Sequence, residues 1–130
     1  MLNVLRRTIH TTDVILGDFS FEDNTDNPFM TTLEPAHNAI KLPVGTYTCV
    51  RARERVNEKT EFETFKITGV CGQEGLFFHD EELTKHDGVV CGNLELPDNQ
   101  GKMLVMGSRA DFHGFMNYLK GVDSFQLQVL

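Results

Sequence analysis

Short apolar or alternating runs recur at close spacing along this chain, and turn-forming residues close each one before it reaches helical length. Leu2 to Ile9 can form a first strand, with Thr11-Thr12-Asp13 as the turn after it. Val14 to Phe21 follows, and its second half alternates, with Phe19 and Phe21 on one face. Phe29 to Leu33 is a short strand that stops at Glu34-Pro35, and Pro35 to Lys41 reads as a surface loop. The turn Leu42 to Gly45 leads into Thr46 to Arg53, the clearest strand, with Tyr47, Cys49 and Arg51 on one face and Thr46, Thr48 and Val50 on the other. The charged run Arg53 to Glu61 reads as a solvated hairpin end, the basic residues Arg51, Arg53 and Arg55 with Glu54 and Glu58 read as solvated with it, and Phe62 to Val70 reads as the partner strand.

The stretch Gly75 to Gly92 gathers most of the chemistry. Leu76-Phe77-Phe78 ends at His79, a polar loop follows, and Val89-Val90-Cys91 closes between Gly88 and Gly92. This predicts two strands with a decorated loop between them. Asn93 to Leu96, a turn at Pro97 to Gly101, and a strand at Met103 to Met106 come next. Ser124 to Leu130 is the last strand, with Phe125, Leu127 and Val129 inward. One helix interrupts the series. Ser108 can cap it, Asp111 suits its positive end, and Phe112, Phe115, Met116 and Leu119 fall on one face. Lys120 in the last turn and Gly121 just beyond fit its stop. About nine short strands and one late helix predict a mainly β domain, a small barrel or sandwich, whose helix plugs one mouth or covers an edge.

At 130 residues the chain supports a single domain, 1–130, with a real hydrophobic core. Ten Phe, two Tyr and no Trp place most aromatic rings in that core or in an interface. The net charge of -7 argues against a nucleic-acid partner, which requires a basic footprint. No apolar run approaches the roughly 20 residues of a membrane helix, and the start of the chain lacks the order of a signal peptide. Three cysteines, Cys49, Cys71 and Cys91, without a secretion signal predict reduced thiols and no disulfide.

Several groups could carry chemistry, and each has a plainer reading. His79 and Cys91 could form a thiolate–imidazole pair if their strands lie side by side; otherwise they are a strand-end histidine and a buried thiol. His79, His86, Asp87 and Cys91 are of ligand type, but their spacing matches no compact metal motif, so no metal or other cofactor is expected. Glu34 could be a general base, or a carboxylate that accepts bonds from backbone amides of the neighbouring loop. No glycine-rich phosphate loop is present.

The order of signals resembles a family of small phage and prophage domains catalogued only as a domain of unknown function. The resemblance is carried by Leu5-Arg6-Arg7, by Leu16-Gly17 with Thr32-Leu33-Glu34-Pro35, by Leu42-Pro43-Val44-Gly45-Thr46-Tyr47, by Leu76-Phe77-Phe78-His79, and by Ser108-Arg109-Ala110. It spans nearly the whole chain, and its pattern implies Arg109, beside the helix start, as a partner for Glu34. Family members carry a His-Gly-Asn segment followed by Gly-Cys, an apolar run and Gly, an order that resembles the active site of cell-wall L,D-transpeptidases. Here Asp80 follows His79, Val89 follows Gly88, and the cysteine comes two positions later as Cys91. The resemblance implies a non-enzymatic phage protein, a virion or tail-associated structural component, located in the virion or the host cytoplasm and contacting other virion proteins or itself. The alternative is a thiol-dependent peptidoglycan enzyme with Cys91 as nucleophile, His79 as base and Glu34 nearby.

Overall fold

Alternating inward and outward residues let neighbouring strands pair while burying one face. In the computed structural model of this chain, the pairing continues until the sheet meets itself. The structure describes residues 1–22, 27–55, 61–70, 75–80, 88–94, 105–107 and 109–130. Among them are β1 (Leu2–His10), β2 (Val14–Ser20), β3 (Met30–Pro35), α1 (Asn38–Lys41), β4 (Gly45–Arg55), β5 (Glu61–Thr68), β6 (Phe77–His79), β7 (Gly88–Leu94), β8 (Val105–Gly107), α2 (Arg109–Tyr118) and β9 (Ser124–Val129). Around the ring the order is β1, β2, β3, β7, β6, β5, β4, β9 and back to β1. The fold is therefore a closed eight-stranded barrel, the first of the two expected architectures. Closure removes the exposed edges of an open sheet.

β7 holds the ring together at its least regular point. Gly88–Val90 pairs in parallel with β6, Val90–Gly92 pairs antiparallel with β3, and Gly92–Leu94 carries β8. Register then fixes what faces inward, because residues directly opposite share a face. Leu5, Phe19 and Met30 make one row across β1, β2 and β3. Arg7, Gly17, Thr32 and Cys91 make the next row, across β1, β2, β3 and β7. Gly17 is required in that row: a Cβ there would stand 2.8 Å from the Arg6 carbonyl oxygen and 2.9 Å from Thr32 Oγ1.

The expected helix closes one mouth. Phe115 is fully buried, with ring centroids 5.4 Å from Phe19, 4.8 Å from Phe78 and 6.1 Å from Phe65. Phe112 and Leu119 are buried beside it and Met116 packs against the same core, as the helical spacing predicts. α2 leads into the start of β9, whereas Gly45 pairs with Val129 at the end of β9. The segment just before Gly45 therefore stands at the opposite mouth. Leu42, fully buried in the core cluster, is its stopper.

Three local expectations need correction. β3 does not stop at Leu33 but continues through Glu34 and Pro35, paired to Ile15 and Val14. Pro35 to Lys41 is not a surface loop: it contains the single turn α1, and Asn38 within it is fully buried. The strand β4 runs on to Arg55, and of its basic residues only Arg53 and Arg55 behave as a solvated run, both pairing with Glu61. The hairpin end at 56–60, the cap residue Ser108, and Cys71, His86 and Asp87 lie outside the described residues.

Candidate functional site

Glu34, the candidate base, sits at the end of β3 with no exposed surface. Arg7 reaches it from the second half of β1 through two bonds, Nε to Oε2 at 3.0 Å and Nη2 to Oε1 at 2.8 Å. The same Nη2 donates to the Leu42 carbonyl at 2.7 Å and to the Asn38 carbonyl at 3.3 Å. Asn38 Nδ2 completes the cluster, donating to Glu34 Oε1 at 3.2 Å and to the Gly88 carbonyl at 3.0 Å. Among the described residues the carboxylate is thus held by two side chains rather than by backbone amides of the loop. A two-point guanidinium–carboxylate contact is the strongest geometry available to such a pair. It fixes Glu34 as a charged acceptor, and the fixed guanidinium in turn ties down the α1 segment.

Arg109, the proposed partner of Glu34, is engaged elsewhere. Its Nε lies 3.6 Å from Asp80 Oδ2, and its side chain is 82% exposed. The residue that does the work, Arg7, is the second arginine of the Leu5-Arg6-Arg7 match. Strand alternation was the signal that could have found it, because Leu5 and Arg7 share a face and Leu5 is in the core. Tyr47 stands near the same mouth. Its hydroxyl donates to the Pro43 carbonyl, and partial burial raises its pKa while the Arg7 charge opposes that rise.

His79 and Cys91 do lie on adjacent strands, since β6 and β7 pair side by side in parallel. The register, however, sets His79 opposite Val90 and Phe78 opposite Val89. Facing residues share a face, and successive residues alternate. Val89 and Cys91 therefore point inward with Phe78, and all three belong to the core cluster. His79 points outward with Val90, its ring tilted 58° to that of Phe77 at 5.5 Å between centroids. The sheet itself separates imidazole from thiol. Both are fully buried. Burial pushes the Cys91 thiol well above its ordinary pKa, and the charges of Asp111 and Asp80 push the same way. Burial alone raises that of Cys49. Such thiols stay protonated at neutral pH, and the protonated form is a poor nucleophile.

Cys49 and Cys91 are free thiols. Among the described residues no three histidine, cysteine or acidic side chains converge to hold a metal ion. No described helix is long and apolar enough to cross a membrane. Two concave surfaces lined by described residues lie away from the candidate catalytic residues. One groove of about 500 Å³ runs between Arg51 and Glu63 on the barrel and His113 and Asn117 on α2, with Lys120 just past the helix. A smaller hollow of about 230 Å³ is formed by Phe21, Phe29 and Tyr118 with Asn27 and Pro28. Arg51 in the larger groove is occupied structurally. Its Nε donates to the Val122 carbonyl at 2.9 Å, its Nη2 to the Leu119 carbonyl at 2.6 Å, and it also pairs with Glu63. Its guanidinium lies 4.8 Å from the centre of the Phe65 ring. No family model, no curated protein and no solved structure matches this chain.

Proposed function

We propose that this protein is a non-enzymatic structural or binding component, associated with a phage particle or tail. The observation that carries the non-enzymatic part is the register of β6 on β7, which turns His79 and Cys91 to opposite faces of the sheet. A nucleophile and its base must come within hydrogen-bond reach, about 2.6–3.2 Å. Here that would require one of the two strands to slip by a residue and expose its buried face. Glu34 supports the same reading, because Arg7 and Asn38 already use its carboxylate. The phage attribution is supported by the five sequence matches, three of which, at Arg7, Glu34 and Leu42, converge on one buried cluster. Contacts with other virion proteins, or with further copies, belong to the same reading.

The test is quantitative mass spectrometry of particles purified from the source virus. This chain at a fixed copy number per particle is the expected result. A particle free of it, together with release of muropeptides by the purified protein and loss of that release in Cys91→Ala, overturns the reading in favour of the enzyme.

A further inference from the structure

Phe112, Phe115 and Leu119 commit one stripe of the α2 segment to the core. His113, Met116, Asn117 and Lys120 fall at i, i+3, i+4 and i+7 and so make a second stripe beside it. Lys120, just past the helix, is kept in step by its backbone N–H, which donates to the Asn117 carbonyl at 3.2 Å. This stripe is one wall of the groove of about 500 Å³, and Arg51 of β4 with Glu63 of β5 is the other. Sites for small molecules commonly span about 300–1,000 Å³.

Arg51 is a donor fixed in place before any ligand arrives. Nε and Nη2 hold the Val122 and Leu119 carbonyls, Nη1 pairs with Glu63, and the guanidinium lies over Phe65. A guanidinium carries five N–H donors. Among the described residues three are engaged, which leaves one on each Nη, and the side chain keeps 22% of its surface exposed. Glu63 is the one acid in the described lining, and Arg51 already pairs with it. Lys120 is exposed and makes no ion pair among the described residues. With His113 neutral, Arg51 and Lys120 against Glu63 leave the lining one net positive charge, in a chain whose net charge is -7. The carboxyl end of a helix, worth about half a negative charge, ordinarily repels anions. Here Arg51 takes up the Leu119 carbonyl and sets a full positive charge against it. Half-buried Met116 supplies an apolar contact in the same wall.

We propose that this groove binds a small organic acid, a single carboxylate on an apolar body. The carboxylate takes the spare N–H groups of Arg51 and the Lys120 ammonium, with the Asn117 amide and the His113 ring as further donors, and the apolar body lies on Met116. A planar carboxylate suits a guanidinium, and its one charge matches the one net charge of the lining. A phosphate monoester, at about -1.5 to -2 near pH 7, would bring excess negative charge beside Glu63. Two sources supply the same chemistry: a free acid, and the carboxyl end of a peptide. The site is independent of the phage attribution and of the register of β6 on β7.

The experiment is an NMR titration of the full chain, labelled with nitrogen-15, at pH 7 and constant ionic strength. The probes are hexanoate, its neutral analogue hexanamide, N-acetyl-leucine and inorganic phosphate. Hexanoate is expected to give saturable shifts at the amides of Arg51, His113, Met116, Asn117 and Lys120, and hexanamide none at the same concentrations. Tighter binding of N-acetyl-leucine than of hexanoate there assigns the carboxylate to a peptide end, and the reverse order assigns it to a free acid. Lys120→Gln, at an exposed position, is expected to melt like the parent and to weaken hexanoate by about tenfold. Arg6→Gln removes the same charge from the exposed face of β1, away from the groove, and leaves hexanoate binding unchanged. Absence of saturable shifts with both carboxylates overturns the proposal. So does hexanamide or phosphate matching hexanoate at these residues, or an equal loss in Lys120→Gln and Arg6→Gln.

Discussion

Arg7 and Glu34, 27 residues apart in sequence, meet at the Leu42 mouth of the barrel in a two-point ion pair whose side chains are 4% and 0% exposed. Taking two charges out of water is costly, and only good geometry with further hydrogen bonds offsets it. Both conditions hold, since Nη2 also bonds the Leu42 and Asn38 carbonyls and Asn38 bonds Glu34.

Removing one partner strands the other. Glu34→Ala is expected to cost about 3–5 kcal/mol, because Arg7 would remain as an uncompensated buried charge. Replacing both, as Arg7→Met with Glu34→Leu, is expected to cost less than either single change. Denaturant melts of the singles and the double check this. A Glu34→Ala loss below about 1 kcal/mol would mean that the pair is not a structural tie.

Phe115 tests the opposite mouth. Its ring lies against five core phenylalanines, Phe19, Phe21, Phe65, Phe78 and Phe125. Phe115→Ala leaves a cavity where α2 enters the barrel and is expected to cost about 3–5 kcal/mol. Equilibrium unfolding in urea measures it, and a near-neutral result would show that α2 is not the plug.

Much of this architecture was legible because it is periodic. Phe125, Leu127 and Val129 announce their face by strict alternation, and Phe112, Phe115 and Leu119 announce theirs by helical spacing. What stayed hidden depends on contacts far apart in sequence. Arg51 read as part of a solvated basic run, since its acceptors, Leu119 and Val122, lie 68 and 71 residues later. Val89-Val90-Cys91 is apolar throughout and so declares no face; only its parallel register with β6 turns Cys91 away from His79. One turn of helix at α1 has no side-chain cap to signal it, and a buried ion pair holds the segment in place.

Arg51 closes the carboxyl end of α2 by donating to the carbonyl of Leu119, just past the last helical residue, and to that of Val122 in the turn after it. Arg51→Met keeps much of the stem over Phe65 but drops those bonds, and is expected to destabilise the fold by about 1.5–3 kcal/mol. Arg51→Lys should recover only part of the loss, because one ammonium cannot reproduce the planar fork that reaches both carbonyls. Faster hydrogen exchange at the last turn of α2, with the Leu42 mouth unaffected, is the local signature. Equal acceleration across the whole barrel would assign Arg51 to global packing instead.

The two buried thiols make stability depend on pH in a fixed direction. Burial raises the pKa of both Cys49 and Cys91, so each keeps its proton in the folded chain. Once unfolded, a cysteine titrates near 8.5, and above that pH the unfolded chain binds fewer protons than the folded one. Stability from the thiols is thus fully present below about pH 8.5 and declines as pH rises further, by about 1.4 kcal/mol per pH unit for each thiol. Cys91→Ala is expected to lower stability modestly at pH 7 and to remove one thiol's share of the alkaline slope. The native protein should leave Cys91 unreactive toward an aromatic disulfide reagent at pH 7, with reaction appearing on unfolding. Urea melts from pH 7 to 10 on the parent and on Cys91→Ala read the slope directly. An unchanged slope in the variant, or rapid native labelling of Cys91, would show a thiolate where the fold places a buried thiol.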